Sequence, residues 1–322
     1  MKTAAYVGCL VGLIILIVLA VRADFGSMVG TLAQAGWPLL WLIPYRALFF
    51  VLYGVGWFAL LRPYNRDRRV GFGYLLWVTT VRDAIDRLLP VASIGGGLAG
   101  VRLLRWRGLP LAQGAATVIV ETLLTLFTVF AFTALGMYLL VDLGIAGRES
   151  TELRIVFLVS MAIPVASALG LRYASPFGRL HRLVSSFIGT YASSNEAEAL
   201  DQEVRGCLHR TGALLTAGML QFVAFVSGAF EVWFALRLFE HPVSAKAAIM
   251  LESMTQAIRH VAFLVPAGLG VQEAGLVLFG QALGLSGELA LSVSMAKRIR
   301  EVLCSLPPLL SWQWSEARRL YR

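Results

Sequence analysis

The chain has 322 residues, 58% of them hydrophobic and 15% charged, with a formal net charge of +9. Soluble domains carry about 45–50% apolar and about 25% charged residues, so this surface belongs in lipid. The composition predicts an all-α polytopic membrane protein and excludes a soluble enzyme, a secreted disulfide scaffold and a disordered chain.

Only Lys2, Lys246 and Lys297 are lysines, and the other basic residues are arginines. In a membrane protein such an excess reads as cytoplasmic loops obeying the positive-inside rule. No basic stripe sits on a soluble module, so nucleic acid is not an expected partner. Cys9, Cys207 and Cys304 match no metal or redox spacing and read as packing residues.

Residues 4–21 form an uninterrupted apolar run behind Lys2, which reads as a retained first helix rather than a signal peptide. Residues 37–61 are the next span, with Pro38 and Pro44 near its start, and RPYNRDRR at 62–69 is the clearest cytoplasmic loop. Residues 112–141, 154–171 and 212–236 are three further spans of adequate length. Between the second and third of these, 172–210 mixes arginines with Glu196, Glu198, Asp201 and Glu203, and reads as a cytoplasmic amphipathic connector. Residues 289–312 are the last span, followed by the basic tail ARRLYR.

Two segments, 72–108 and 247–284, break this pattern. Each has a charged, moderately apolar arm, a proline, glycines and a second short arm. The breaks fall at Pro90, Gly95, Gly96 and Gly97 in the first, and at Pro266, Gly268 and Gly270 in the second. Lipid cannot satisfy the backbone groups that such breaks free, so they belong inside protein or along a wet cavity. Both segments are therefore expected to be re-entrant hairpins of two half-helices. Residues 1–322 then form one integral membrane domain with six full spans, two hairpins and both termini in the cytoplasm.

At an offset of 176, Leu88, Pro90, Val101, Gly108 and Leu109 meet Leu264, Pro266, Val277, Gly284 and Leu285. Two Gly/Pro breaks in a leucine-rich chain also align by chance, but the shared order of proline, glycines and Gly-Leu suggests an inverted repeat. Broken helices in an inverted repeat place a binding site at the repeat interface.

Charges in apolar segments cost at least about 2.5–3.5 kcal/mol each at a helix centre, so they mark a cavity or a set of partners. AKRIRE in the last span carries Lys297, Arg298, Arg300 and Glu301, with Lys297 and Glu301 spaced to pair. Glu121 stands alone in TVIVETLLTLF, with Arg298 or Arg300 as expected partner. In the first hairpin, Arg82–Asp86 and Asp83–Arg87 are both spaced to pair. The second adds Glu252, Arg259, His260 and Glu273. His260 has no second histidine at ligand spacing, so no metal is expected. GLGVQE at 268–273 should open the second half-helix, whose N–H groups suit an anionic head group unless Glu273 neutralises them. GGGLAG at 95–100 lacks the strand context of a dinucleotide fingerprint and reads as tight packing. Trp37, Trp41, Trp57, Trp77, Trp106, Trp312 and Trp314 read as an interfacial belt.

LVPAGLGVQEAGLVLFG followed by MAKRIREVL resembles the flippase-like membrane domain of the lysylphosphatidylglycerol synthase family, which has a GGLG-V-[RQ]-E element at this place. IPYR at 43–46, LLPVASIGG, VPAGLGVQE and AKRIRE together are most similar to its hopanoid-biosynthesis-associated subgroup. Gln272 stands where many relatives have arginine. The resemblance implies a bacterial inner-membrane protein that moves a lipid, hopanoid or phospholipid, across or out of that membrane. It also implies lipid-biosynthesis or export proteins as possible partners. The soluble aminoacyl-transferring domain of the synthases is not expected in a chain that stops just after its last span.

The expected substrate cavity is lined by Arg298, Arg300, Lys297, Glu301, Glu121, Arg259, Gln272 and Glu273. No catalytic residue, cofactor or metal is predicted. A non-transporting scaffold for lipid-synthesis enzymes is the first alternative, and an intramembrane head-group transferase the second.

Overall fold

A computed structural model of the chain describes residues 36–88, 95–145, 165–167, 169–170, 173, 194–261, 265 and 270–320. Every regular element among them is helical. In chain order these are α1 (Leu42–Leu61), α2 (Phe72–Leu88), α3 (Gly95–Trp106), α4 (Leu111–Asp142), α5 (Ser194–Leu208), α6 (Thr211–Leu238), α7 (Ala245–Val261), α8 (Val271–Ala282) and α9 (Gly287–Leu320). Short 3₁₀ turns, Trp37–Trp41 and Arg62–Tyr64, flank α1.

Among the described residues, three helices are long and apolar enough to cross a membrane: Trp37–Tyr64, Leu111–Asp142 and Thr211–Leu238. They cover the expected spans 37–61, 112–141 and 212–236. The expected span 4–21 and most of 154–171 lie outside the described residues, as do the start of the 172–210 connector, Pro90, Pro266 and Gly268. The last expected span, 289–312, is part of a longer helix that runs to Leu320 with Pro307 and Pro308 inside it.

The two broken segments share their dimensions. Their first arms, α2 and α7, each have 17 residues, and their second arms, α3 and α8, each have 12. At a rise of about 1.5 Å per residue the second arms are only about 18 Å long, short of a hydrocarbon core of about 30 Å. Their ends match as well. Gly108 closes α3 at φ 77° and Gly284 closes α8 at φ 82°, a left-handed conformation that glycine adopts without steric cost. Leu109 N–H then bonds the Leu104 carbonyl, and Leu285 N–H bonds that of Gly280. Gly108 N–H likewise bonds Arg105, and Gly284 N–H bonds Gln281. Both ends are Schellman motifs 176 residues apart.

The packing is reciprocal. α2 packs on α3 and crosses to α9, while α7 packs on α8 and crosses to α4. Each long helix thus covers the first arm of the other broken segment. α1 and α6 meet along their lengths, and Gly56 lets them approach. A Cβ at Gly56 would stand 3.3 Å from Ala217 Cα. Lipid tails are as apolar as leucine, so such close approach and interhelical polar bonds hold membrane helices together. One apolar cluster around Trp57, Leu75, Val78, Leu103 and Leu104 joins α1, α2 and α3. Another, around Leu42, Val232, Leu251, Leu276 and Val293, joins α1, α6, α7, α8 and α9. Charged side chains lie between them.

Trp57 departs from the expected belt. It is fully buried, donates to Thr117 Oγ1 at 3.4 Å and lies under the Arg82 guanidinium at 4.5 Å. Trp37, Trp41 and Trp314 are exposed.

Candidate functional site

α2 carries Arg82, Asp83, Asp86 and Arg87 at spacings that put them along one helical stripe. α9 carries Lys297, Arg298, Arg300 and Glu301 within a turn and a half. The reciprocal packing brings these stripes together, and charges from α1, α4, α6, α7 and α8 complete a cluster of ion pairs.

At its centre, four arginines from three helices converge on the Glu301 carboxylate. Arg87 contacts it from α2. Arg298 lies 3.3 Å away, Arg259 3.7 Å and Arg300 3.9 Å. Three of these arginines have a second carboxylate. Arg87 pairs with Asp83 at 2.9 Å, Arg298 with Glu273 at 2.9 Å and Arg300 with Glu231 at 2.6 Å. Asp83 in turn holds Arg46 of α1 at 2.6 Å, and that guanidinium lies over the Phe49 ring. Arg259 differs: it donates to Gln272 Oε1 at 3.4 Å, and no second carboxylate meets it among the described residues.

Two further pairs lie in more enclosed surroundings. Arg82 donates to Glu121 at 2.7 Å, and Lys297 donates to Glu252 at 2.5 Å. Glu121 is fully buried, and Lys297 and Glu252 nearly so. By contrast, the side chains of Asp83, Arg87, Arg259 and Arg298 keep 13–19% of their surface. The network is sealed at Glu121, Lys297 and Glu252 and partly open around Arg259 and Arg298.

Several expected pairings are replaced by tertiary ones. Glu121 meets Arg82 rather than Arg298 or Arg300. Lys297 meets Glu252 rather than Glu301, one turn away on its own helix. Of the two α2 pairs only Asp83–Arg87 forms, because Arg82 is drawn to Glu121 and Asp86 accepts the Gly96 N–H at 2.9 Å. A carboxylate at 0% exposure needs a cation in contact, and this requirement outweighs the few tenths of a kcal/mol of an i,i+4 pair.

The breaks set the geometry around these charges. Gly96 and Gly100 face Arg82, and a Cβ at Gly96 would stand 2.5 Å from the Arg82 carbonyl. Gly97 has room, with Val118 Cγ1 at 3.6 Å, and Gly95 opens α3. Gly270, at φ 72°, is the N-cap of α8. Glu273 sits in the first turn of α8 and directs its carboxylate to Arg298. His260 Nδ1 is bonded to the Gln256 carbonyl.

Six members of this network, Arg46, Arg82, Asp83, Arg87, Glu231 and Glu252, lie outside the expected cavity. Glu231 and Arg46 were detectable by the criterion that selects Glu121, a lone ion in an apolar span.

An all-helical membrane protein whose broken helix pairs surround a buried network of arginines and carboxylates is the class these observations define. Within that class, a profile described as the lysylphosphatidylglycerol synthase TM region matches residues 6–307, and the chain belongs to that family. The family is a lipid-related membrane domain. No curated protein and no solved structure matches the chain.

Proposed function

We propose that the chain moves a lipid across, or hands it out of, the bacterial inner membrane. The observation that carries this reading is the partly exposed group of arginines around Glu301, set where the two broken segments meet. Arginine side chains accessible within an otherwise apolar bundle are costly unless they serve a polar guest. A lipid's tails stay in the bilayer during transfer, so the protein need only offset the desolvation of its head group. Arg298 and Arg259 are the contacts for that head group. Glu301, Glu273 and Arg300 hold them in position, while Arg82–Glu121 and Lys297–Glu252 act as struts.

The reading includes an architecture. The matching arms, matching Schellman ends and reciprocal crossings support two repeats, α1–α4 and α6–α9, inverted in the membrane. α2–α3 and α7–α8 are then re-entrant hairpins among six full spans, and rocking of one repeat on the other would alternate access to the arginines. Both termini face the cytoplasm. A hopanoid and a phospholipid are both within the lipid class proposed.

The test is flux. The full chain, reconstituted in vesicles with fluorescent phospholipid or fluorescent sterol-like lipid, is treated with a membrane-impermeant quencher. Protein-dependent exposure of inner-leaflet lipid is expected, slowed about tenfold by Arg298→Gln, the loss of one charge-assisted bond. Flux equal to that of protein-free vesicles with every lipid would overturn the reading and favour the scaffold alternative.

A further inference from the structure

The arms of the two broken segments correspond position by position, yet the facing ends of those arms are chemically opposite. The second has three more residues between its arms, so α2 aligns with α7 at an offset of 173 and α3 with α8 at 176. Asp86 then corresponds to Arg259, and Gly96 to Gln272. The corresponding pairs touch in both segments: Asp86 accepts the Gly96 N–H at 2.9 Å, and Arg259 donates to Gln272 Oε1 at 3.4 Å. In the first segment, then, the positive end of a half-helix is closed by the chain's own carboxylate. In the second, an arginine stands at that place.

Among the described residues, the α8 end is short of acceptors. Its N-cap, Gly270, has no side chain to accept the first-turn N–H groups. The Glu273 carboxylate is turned to Arg298. Gln272 must present Oε1 to Arg259, because a guanidinium only donates. Its Nε2 is therefore a donor, and it is buried at 2% exposure with no partner among the described residues. A buried amide donor left unpaired costs about 1–3 kcal/mol, a cost that a bound acceptor removes. Arg259 is also the arginine of the Glu301 group that shows no second carboxylate among the described residues.

We infer that the N-terminal end of α8, beside Arg259, is a phosphate site, in which a phosphate ester takes the place that Asp86 fills at the N-terminal end of α3. The donors are the Arg259 guanidinium, Gln272 Nε2 and the first-turn N–H groups of α8. Phosphate oxygens accept several such bonds at once, and helix N-termini favour them. The inference rests on the lipid-handling reading only for the source of the phosphate, a phospholipid head group. It selects a phosphate-bearing lipid over a neutral polyol lipid.

Equilibrium binding tests the site independently of flux. The purified full chain in neutral detergent is titrated with dioleoyl phosphatidylglycerol, with dioleoylglycerol, which lacks the phosphate, and with inorganic phosphate, and thermal unfolding is followed. Saturable stabilisation by phosphatidylglycerol and none by dioleoylglycerol is expected. Arg259→Gln and Gln272→Leu should each weaken it about tenfold, one lost bond to a charged group apiece. Arg259→Asp, which copies the first segment, should abolish it. Arg105→Gln, on the exposed end of α3, should leave it unchanged. Stabilisation by inorganic phosphate, lost in the same variants, would support the site and assign its source to solution. Equal stabilisation by both lipids, or phosphatidylglycerol binding untouched by Arg259→Gln and Gln272→Leu, would overturn it. Retained phosphatidylglycerol binding without flux would count against translocation alone. Flux of a neutral lipid with no phosphate-dependent binding would count against this site alone.

Discussion

Glu121 of α4 and Lys297 of α9 stand at the same register of the two long helices, 176 residues apart, and carry opposite charges. Each is neutralised by the first arm of its own broken segment, Glu121 by Arg82 at 2.7 Å and Lys297 by Glu252 at 2.5 Å. The two halves of the protein thus solve the same problem with the acid and base exchanged. A buried cation–carboxylate bond ties each long helix to its broken segment, and neither bond consumes the arginines around Glu301.

This arrangement predicts a structural role for Glu121. Glu121→Gln preserves its shape but leaves the Arg82 guanidinium without its carboxylate, which costs about 3–5 kcal/mol for a buried pair. Stacking on Trp57 compensates only in part. The double variant Arg82→Met/Glu121→Leu should be much closer to wild type, because apolar side chains of similar volume avoid the desolvation cost. Thermal unfolding of the two single variants and the double variant forms the cycle that checks this. Additive losses would show that the pair is not coupled.

Gly136 marks the closest approach of α4 to α7. A Cβ there would run into the Ser253 hydroxyl and stand 2.8 Å from Met254 Cε. Glycine to alanine in a helix interior gains about 1 kcal/mol of propensity. The steric cost is about 1–3 kcal/mol and should win, because Ser253 is itself fully buried and cannot move aside. Gly136→Ala is therefore expected to lower the melting temperature, and Ser253→Gly in the same chain to restore part of it. A stabilised Gly136→Ala would place α4 and α7 further apart.

Gly96 and Gly97 are adjacent and look interchangeable in GGGLAG, but they face different surroundings. A methyl at Gly96 meets the Arg82 carbonyl, which is backbone and cannot yield, and the Asp86 carboxylate that caps α3. A methyl at Gly97 meets Val118 at ordinary contact distance. Gly96→Ala should separate α3 from α2 and speed amide exchange along α3, whereas Gly97→Ala should leave exchange within the range of surface substitutions, about 0.5 kcal/mol. Equal behaviour of the two variants would contradict the packing of α3 on α2.

Much of this was readable from residue order. The apolar runs mark α1, α4 and α6, and the Gly-Leu pairs at 108–109 and 284–285 mark the ends of α3 and α8. The isolated charges also mark where a network must form, since no ion stays alone in lipid. The partners are not readable, because i,i+4 spacing speaks only of neighbours on one helix. Arg82 and Asp86 are spaced to pair, yet Arg82 reaches 39 residues away to Glu121 and Asp86 caps α3 instead. Trp57 misleads for the same reason: it lies near a span end in sequence, but α2 and α3 fold over it.

Arg298 and Arg300 are two residues apart on α9, and their carboxylates separate their roles. Arg300 and Glu231 are both nearly sealed, at 4% and 5% exposure, and their contact is 2.6 Å. Glu231 lies in the interior of α6, far from either helix end, so only cations offset its charge. Glu273, the partner of Arg298, lies in the first turn of α8, where the helix end also favours an anion. Arg300→Gln should therefore cost more stability than Arg298→Gln, by about 1–2 kcal/mol, the worth of a partly buried charge at a helix end. Adding Glu231→Gln to Arg300→Gln removes the stranded carboxylate and should recover most of that loss. Arg298→Gln also strands a buried carboxylate, so it should unfold below wild type but above Arg300→Gln, while slowing lipid flux. Unfolding temperatures and flux of the four proteins decide the matter. Equal destabilisation by the two single variants would mean that α8 gives Glu273 no support, and that both arginines are structural.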